Sequence, residues 1–519
     1  MSGTRSRLDA REAEVLVRID RLDRIAPAGP RPRAVTAGLV LVLAGVLAGW
    51  LIPMGPVTTV EALVSVVAAL LVGFTTGWLL RTRWAMLLAP VTFMLVFEVA
   101  RMRVDGPTVD GIRLDGIYGM LVLVAGRGID GVLMLLPMVV GAAYGAALAR
   151  RLQRPADAAH GRHLVRRGLL VAATVAVIAL VAGLLRPAST EAIVGADGEP
   201  VGGSIAELVE VPIGGHDQAI MLRGVSAGAP VLLYLEGGPG GTGIGRIRNA
   251  GEDLERSFVV ATWDQRGTGK SYDALEPRST LTVEQAVDDT LEVTEYLRDR
   301  FGQQKIYLVG SSWGTTVGVL AVQRSPELFH AYVGTGQMVD QFETDTLMYA
   351  ESLADAGARG DDDMAEALRE LGEPPYDSTL DYPVAIASNP KWMSFEHGED
   401  YNAAAEYPSS LFVAEYTLIE QLRGMGAIAE TFSVLYPQLA DTDFRHQVPE
   451  LDVPVYLVEG RYEAAGRETL ARQWFELLSA PSKEYVVFEN SGHTPPSDEP
   501  GRFAEFMEGV AHSSAERSQ

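Results

Sequence analysis

A serine, a histidine and a carboxylate supply acyl-transfer chemistry if a fold brings them together, and this chain carries one serine in the right setting. Ser312 lies in Gly310-Ser311-Ser312-Trp313-Gly314, between a β-branched run (Ile306–Val309) and a helical pattern (Thr315–Arg324). A G-x-S-x-G at a strand–turn–helix junction is a nucleophile elbow: flanking glycines permit a sharp turn that projects the hydroxyl and aims the next backbone N–H at the same point. A serine hydroxyl needs a base, and the base needs an acid to orient it. On such an elbow the chain order is Ser, acid, His. Of the downstream histidines, His330 comes too early, His397 and His446 fall in a helical insertion, and His512 lies in the polar C-terminal tail. His493, in Asn490-Ser491-Gly492-His493, alone follows a terminal strand. The acid should follow the penultimate strand, where Glu459 and Glu463 compete; Glu463 in the loop is favoured, and Glu459 is the rival.

Two further glycine motifs point elsewhere. Asp264-Gln265-Arg266-Gly267-Thr268-Gly269-Lys270-Ser271 ends like a phosphate loop, but an aspartate stands where the first glycine belongs and no helix opens at Ser271. Gly238-Pro239-Gly240-Gly241-Thr242-Gly243 fits G-x-G-x-x-G, with Asp264 about 20 residues on as the ribose acid. Pro239 would deny a dinucleotide one N–H, so no nucleotide is expected.

The elements that must hold these residues form an α/β pattern. Short apolar runs at 208–212, 219–222, 231–235, 258–262, 306–309, 332–334, 455–458 and 485–488 predict eight strands, with helices at 283–300, 315–324, 469–478 and 500–510. Residues 338–448 break the alternation with helical stretches at 346–353, 362–371 and 412–422, and read as an insertion between the sixth and seventh strands.

The first third has a different solvent. Up to Arg186 the chain holds 21 basic and 12 acidic residues, net +9; the remainder holds 22 and 55, net −33. Apolar runs near 34–53, 57–80, 84–100, 128–148 and 168–185 are each long enough for a bilayer, and Ile117–Ala125 reads as an interfacial or re-entrant piece rather than a sixth span. The expected organisation is a cytoplasmic tail at 1–33, an all-α transmembrane region at 34–186, a tether at 187–204, and an α/β domain at 205–519 with its cap at 338–448. Arginines in the tail, at 81 and 83, and at 150–167 predict a cytoplasmic N-terminus and an extracytoplasmic second half. Glu61 and Glu98, inside apolar runs, are candidates for docking the outer domain. With no cysteine in the chain, disulfides, thiolate zinc sites, Fe–S clusters and a cysteine nucleophile are excluded. No paired histidine spacing suggests a metal, and no basic patch in the acidic part suggests nucleic acid.

Glu-Gly-Gly-Pro-Gly at 236–240, the Asp264–Ser271 phrase, the elbow at 310–314, Glu-Gly-Arg-Tyr-Glu at 459–463 and Glu-Asn-Ser-Gly-His at 489–493 together resemble the proline iminopeptidase-like branch of the α/β-hydrolase fold, over about residues 205–512. The resemblance implies Ser312 as nucleophile, His493 as base and Glu463 as orienting acid, with an oxyanion hole from the N–H groups of Trp313 and of Gly237 or Gly238. It makes Asp264 and Arg266 braces for the glycine turn, and residues 338–448 the cap. Family aminopeptidases hold the substrate ammonium with cap carboxylates; Glu406, Glu415 and Glu420 are candidates, and Glu236, replacing the family histidine, puts a further negative charge beside the site. The implied activity is a membrane-anchored aminopeptidase acting on small peptides without a cofactor. An esterase of the same fold acting on acyl substrates, and a non-catalytic membrane sensor, are the alternatives.

Overall fold

The computed structural model describes residues 29–114, 117–153, 164–387, 389 and 409–517; the Arg-rich tail before Gly29 and Glu406 lie outside them. The chain forms two compact units, one from the residues up to Asp105 together with Gly126–Leu185, the other from Gly106–Ala125 together with Arg186 onward. Residues 106–125, expected within the membrane region, thus belong to the second unit. So do the expected tether residues: Arg223 Nη1 donates to Thr190 Oγ1 (2.7 Å) and Glu191 O (2.6 Å), and Ser189 N–H to Ala414 O (3.0 Å).

In the second unit, the β-branched runs make eight strands: β1 (Ile205–Ile213), β2 (His216–Gly224), β3 (Val231–Leu235), β4 (Val259–Trp263), β5 (Ile306–Ser311), β6 (Phe329–Thr335), β7 (Val455–Gly460) and β8 (Lys483–Phe488). They form one mixed sheet in the order β1-β2-β4-β3-β5-β6-β7-β8. β1 and β2 form an antiparallel hairpin, β2 runs antiparallel to β4, and the rest is parallel. β3, β4, β5 and β7 are buried along their whole length, as a parallel sheet covered on both faces requires. Because β3 lies between β4 and β5, the strand order reverses there, and loops leaving the two carboxyl ends open a crevice. Leu235 is paired with Gly310, which brings the turn after β3 beside the elbow after β5.

Between β6 and β7 lie the helices Gln341–Arg359, Asp362–Leu371, Tyr382–Ala387 and Leu418–Leu435. The expected helix at 412–422 begins only at Leu418. Glu420 accepts the Thr417 N–H (2.7 Å) and so marks its first turn, while 412–416 are turns and bends.

The first unit is built from apolar helices. Pro30–Leu51, Thr59–Leu80, Tyr118–Leu152 and Val165–Leu184 are long and apolar enough to cross a membrane; a fifth helix, Ala85–Arg101, has 17 residues. Ile117–Ala125 is no separate piece: it begins one helix of 35 residues, about 50 Å long. Its pattern breaks because Gly126, Gly128 and the charges of Arg127 and Asp130 interrupt the hydropathy, and the helix widens into π turns at Val124–Gly128 and Gly131–Leu135. Both charges are answered, Arg127 Nε by Glu98 at 3.0 Å and Asp130 by Arg101 Nη1 at 2.9 Å. Glu98 therefore serves an ion-pair network inside this unit. Glu61 caps its own helix, accepting the N–H groups of Val57 (2.9 Å) and Thr58 (3.2 Å).

Helices that are apolar on most faces can associate by close backbone approach at small residues. Gly73 and Gly77 face Met138 and Ala142, and Gly141 and Gly145 face Leu70 and Phe74; a Cβ at any of the four would overlap the opposing carbonyl oxygen. These reciprocal G-x-x-x-G pairs hold Thr59–Leu80 against the 35-residue helix. Gly77→Leu should cost at least the ~1–3 kcal/mol of an overpacked core, whereas Gly38→Leu, with nothing within 4 Å of its Cβ, should be silent. Thermal unfolding of both variants in detergent checks this, and equal melting would refute it.

Candidate functional site

Ser312 has φ 51° and ψ −118°, a strained conformation for a residue with a side chain. Its surroundings enforce it. The Ser312 N–H donates to Thr335 O (2.9 Å), and its carbonyl accepts from the Thr315 N–H (2.8 Å) and Oγ1 (2.6 Å). A Cβ at Gly310 would sit 2.6 Å from Gly314 O, and one at Gly314 would overlap Leu235 O, so the elbow requires both glycines. The turn after β3 closes on it: a Cβ at Gly237 would lie 3.0 Å from Ser312 Cβ and 3.7 Å from its Oγ. Gln265 locks the two loops together, accepting from Trp313 Nε1 (2.9 Å) and donating to Glu236 O (3.0 Å). Trp313 opens the helix Trp313–Arg324, so its N–H is among those a helix leaves without an internal acceptor, at the positive end of the dipole.

His493 lies beyond β8, with Nδ1 2.6 Å from Glu463 Oε2. Glu463 is 2% exposed, and its Oε1 accepts the Ala464 N–H at 2.7 Å. An acceptor at Nδ1 selects the tautomer that carries its proton there and its lone pair on Nε2. Two glycines make room for this arrangement that sequence reasoning did not single out. A Cβ at Gly336 (φ 57°) would fall 2.7 Å from His493 Cε1, and one at Gly460 would overlap the carbonyls of Ser491 and Gly492. The positions just past β6 and at the end of β7 were the available signal.

Glu459, the rival acid, is fully buried one strand-end away, and its Oε1 accepts the Gln337 N–H at 2.9 Å. Burial, and then the charge of Glu463, push its carboxyl well above the usual carboxylate range. The ring of His493 meets Glu463.

The remaining carboxylates are occupied. Glu236, 4% exposed, pairs with Arg246 Nε (2.9 Å); Glu415 pairs with Arg248 (3.0 Å) from the turn before the cap helix; Glu420 pairs with Lys270 Nζ (3.0 Å). The charge expected beside the site at Glu236 is thus balanced within the fold. Asp264, expected to brace the glycine turn, accepts instead from Ile244 N–H (3.1 Å) in the helix that follows that turn, from Lys270 N–H (2.9 Å) and from Tyr416 OH (3.0 Å), with burial raising its pKa to about 6. The Lys270 amide that a phosphate loop would offer is therefore spent on Asp264. Arg266 does something else: it makes a two-pronged pair with Asp289 (2.9 and 3.0 Å) and donates to Gly214 O (3.0 Å), tying the β1–β2 turn to the helix Val283–Phe301.

A mixed eight-stranded sheet with a strand–turn–helix elbow at the carboxyl end of β5 and a helical cap between β6 and β7 is the α/β-hydrolase architecture. The family model for the alpha/beta hydrolase fold matches residues 230–377. The probable aminopeptidase YbaC of Bacillus subtilis (strain 168) is 30% identical over 317 residues, 58% of this chain and 95% of that protein. The proline iminopeptidase of Heyndrickxia coagulans is 21% identical over 289 residues, 53% of this chain and 88% of that protein. A crystal structure of proline iminopeptidase from Mycobacterium smegmatis aligns with 60% of this chain and all of its own, at 19% identity and a TM-score of 0.46. The chain belongs to the α/β-hydrolase family.

Glu459 offers a test of the two buried glutamates. Its folded-state pKa lies above the ~4.3 of an unfolded chain, so the folded protein binds the extra proton and stability falls as pH rises through that interval. Glu459→Gln removes this slope. Its melting temperature should drop less than the parent's between about pH 5 and about pH 8; parallel curves would mean that Glu459 is already ionised.

Proposed function

We propose that this protein is a membrane-anchored serine hydrolase that releases an N-terminal residue from short peptides through an acyl-enzyme. The observation that carries the reading is the 2.6 Å pairing of His493 Nδ1 with buried Glu463, on a fold whose elbow presents Ser312. In this mechanism His493 Nε2 takes the proton from Ser312 Oγ as the oxygen attacks the substrate carbonyl, and Glu463 stabilises the imidazolium that forms. The N–H groups of Trp313 and of Gly237 or Gly238 receive the developing oxyanion, each such donor being worth about 3–4 kcal/mol in the transition state. His493 then protonates the leaving amine, and water, activated by the same nitrogen, hydrolyses the ester to Ser312. The aminopeptidase assignment within the hydrolase class draws on the curated relatives, which bear the names aminopeptidase and proline iminopeptidase.

Anchoring draws on the apolar helices. Two of them, Tyr118–Leu152 and Leu164–Leu184, separate residues 106–114 from Arg186. Two crossings return the chain to its starting side, which agrees with both segments belonging to one unit. If Ala85–Arg101 also crosses, the Arg81–Arg83 and Arg150–Arg151 ends lie on the side of the N-terminus, and the positive-inside rule makes that side cytoplasmic and the hydrolase extracytoplasmic.

The full chain in detergent should cleave Pro- or Ala-arylamides. Ser312→Ala and Glu463→Gln should each lower kcat by about 10⁴-fold or more. Undiminished turnover in Ser312→Ala would reject the serine mechanism. Blocking the substrate's amino group should abolish cleavage by an aminopeptidase, whereas an esterase would accept blocked acyl esters equally well.

A further inference from the structure

The segment Gly106–Ala125 follows the helix Ala85–Arg101 and includes the first turns of Tyr118–Leu152, yet it packs as part of the hydrolase unit. Its anchor is a buried carboxylate. Glu430, in the helix Leu418–Leu435, is inaccessible to solvent, and its Oε1 accepts both the backbone N–H of Thr108 (2.9 Å) and the Thr108 hydroxyl. The other oxygen is held by Arg278. A Cβ at Gly106 would overlap Arg278 Nη2 and Glu430 Oε2, so a glycine is needed for the segment to seat. Further contacts extend the attachment. Arg423 Nη1 donates to Ala125 O (3.4 Å), Gly426 lies against Thr108 Cγ2, and Arg113 reaches Ser378 Oγ (2.7 Å) and Asp381 (3.0 Å) before the helix Tyr382–Ala387.

On helical spacing Arg423, Gly426 and Glu430 share one face of the helix Leu418–Leu435, while Ile428 and Thr431 share a neighbouring one. That second face presses on the glycine turn. A Cβ at Gly240 would lie 2.9 Å from Ile428 Cα and 3.2 Å from Thr431 Cβ, and Thr431 Oγ1 donates to Gly267 O (3.0 Å). One helix thus stands between the inter-helix segment and the turn that approaches Ser312.

We infer that residues 106–125 are a strap belonging to the cap, and that Thr108 and Glu430 are positioning residues which, through the helix Leu418–Leu435, set the turn Gly237–Gly241 against the elbow. The catalytic consequence rests on the hydrolase reading; the mechanical coupling does not. Seating the strap fixes the height of the helix over Gly240, and loosening it lets the turn drift from the place where the oxyanion forms. Small displacements there have large effects, because preorganised donors work only at the right distance.

The test uses the full chain in detergent with Gly106→Ala, Thr108→Val and Thr108→Ser, and with Gly111→Ala as a control on the same segment whose Cβ meets nothing within 4 Å. Hydrogen exchange of the amides at 237–243 is read first. It should accelerate in Gly106→Ala and Thr108→Val, return toward the parent in Thr108→Ser, and stay unchanged in the control. Arylamide kinetics are read second, with kcat expected to fall about 10- to 100-fold and KM to change little. Unaltered exchange at the turn in both Gly106→Ala and Thr108→Val overturns the coupling, whatever the activity. Altered exchange with unaltered kcat overturns the positioning role alone. A parent chain that hydrolyses neither amide nor ester refutes the hydrolase reading, and the exchange arm still decides the coupling.

Discussion

Close approach of two backbone segments, at the carboxyl ends of β3 and β5, is the constraint on which the site depends. Leu235 and Gly310 are paired in the sheet, Gly314 sits where a Cβ would strike Leu235 O, and Gly237 lies beside Ser312. A protein interior packed to crystal density has no slack to absorb side chains at such points. The strained backbone of Ser312 persists because Thr335 and Thr315 hydrogen-bond both sides of its peptide, while Gln265 ties Trp313 to Glu236.

Burial sorts the carboxylates around this frame. An ionised acid taken out of water must be paired or must keep its proton. Glu463 has the imidazole of His493 and a backbone N–H; Asp264 has three donors; Glu236, Glu415 and Glu420 have Arg246, Arg248 and Lys270. Glu459 has one N–H and a like charge nearby, and burial raises its pKa. Two glutamates four residues apart thus meet different partners. The strong acidity of the chain after Arg186 is accordingly more than a solubility device, since several of those charges are internal fasteners.

The two units use glycine for different ends. In the apolar unit, Gly73, Gly77, Gly141 and Gly145 let two helices touch backbone to backbone. In the hydrolase unit, glycines admit sharp turns around the elbow and the histidine loop. The strap at 106–125 adds a complication: a hydrolase begun at Pro187 would lack a piece of its own cap, leaving buried Glu430 without the donors of Thr108.

Local signals made much of this legible. Periodicity located eight strands within a few residues, since parallel strands buried on both faces must be apolar throughout. The G-x-S-x-G context and the chain order singled out Ser312 and His493, because turn chemistry and strand order are properties of short segments. The choice between Glu459 and Glu463 could not be made that way; both follow the same strand, and only the fold says which one the imidazole reaches. Glu415 and Glu420 read as open carboxylates because their cations, Arg248 and Lys270, stand 150 or more residues away. Ile117–Ala125 read as a separate apolar piece because Gly126, Gly128 and the charges of Arg127 and Asp130 interrupt the hydropathy of one long helix. The strap was invisible for the same reason: Thr108 and Glu430 are 322 residues apart, and a buried hydrogen bond leaves no periodic trace. What the amino-acid order determined alone was which segments are strands, where most of the helices lie, and which turn carries Ser312. Which charges meet, and which piece of chain completes the cap, was decided by tertiary structure, because long-range pairing depends on where the sheet and the helices bring distant residues together.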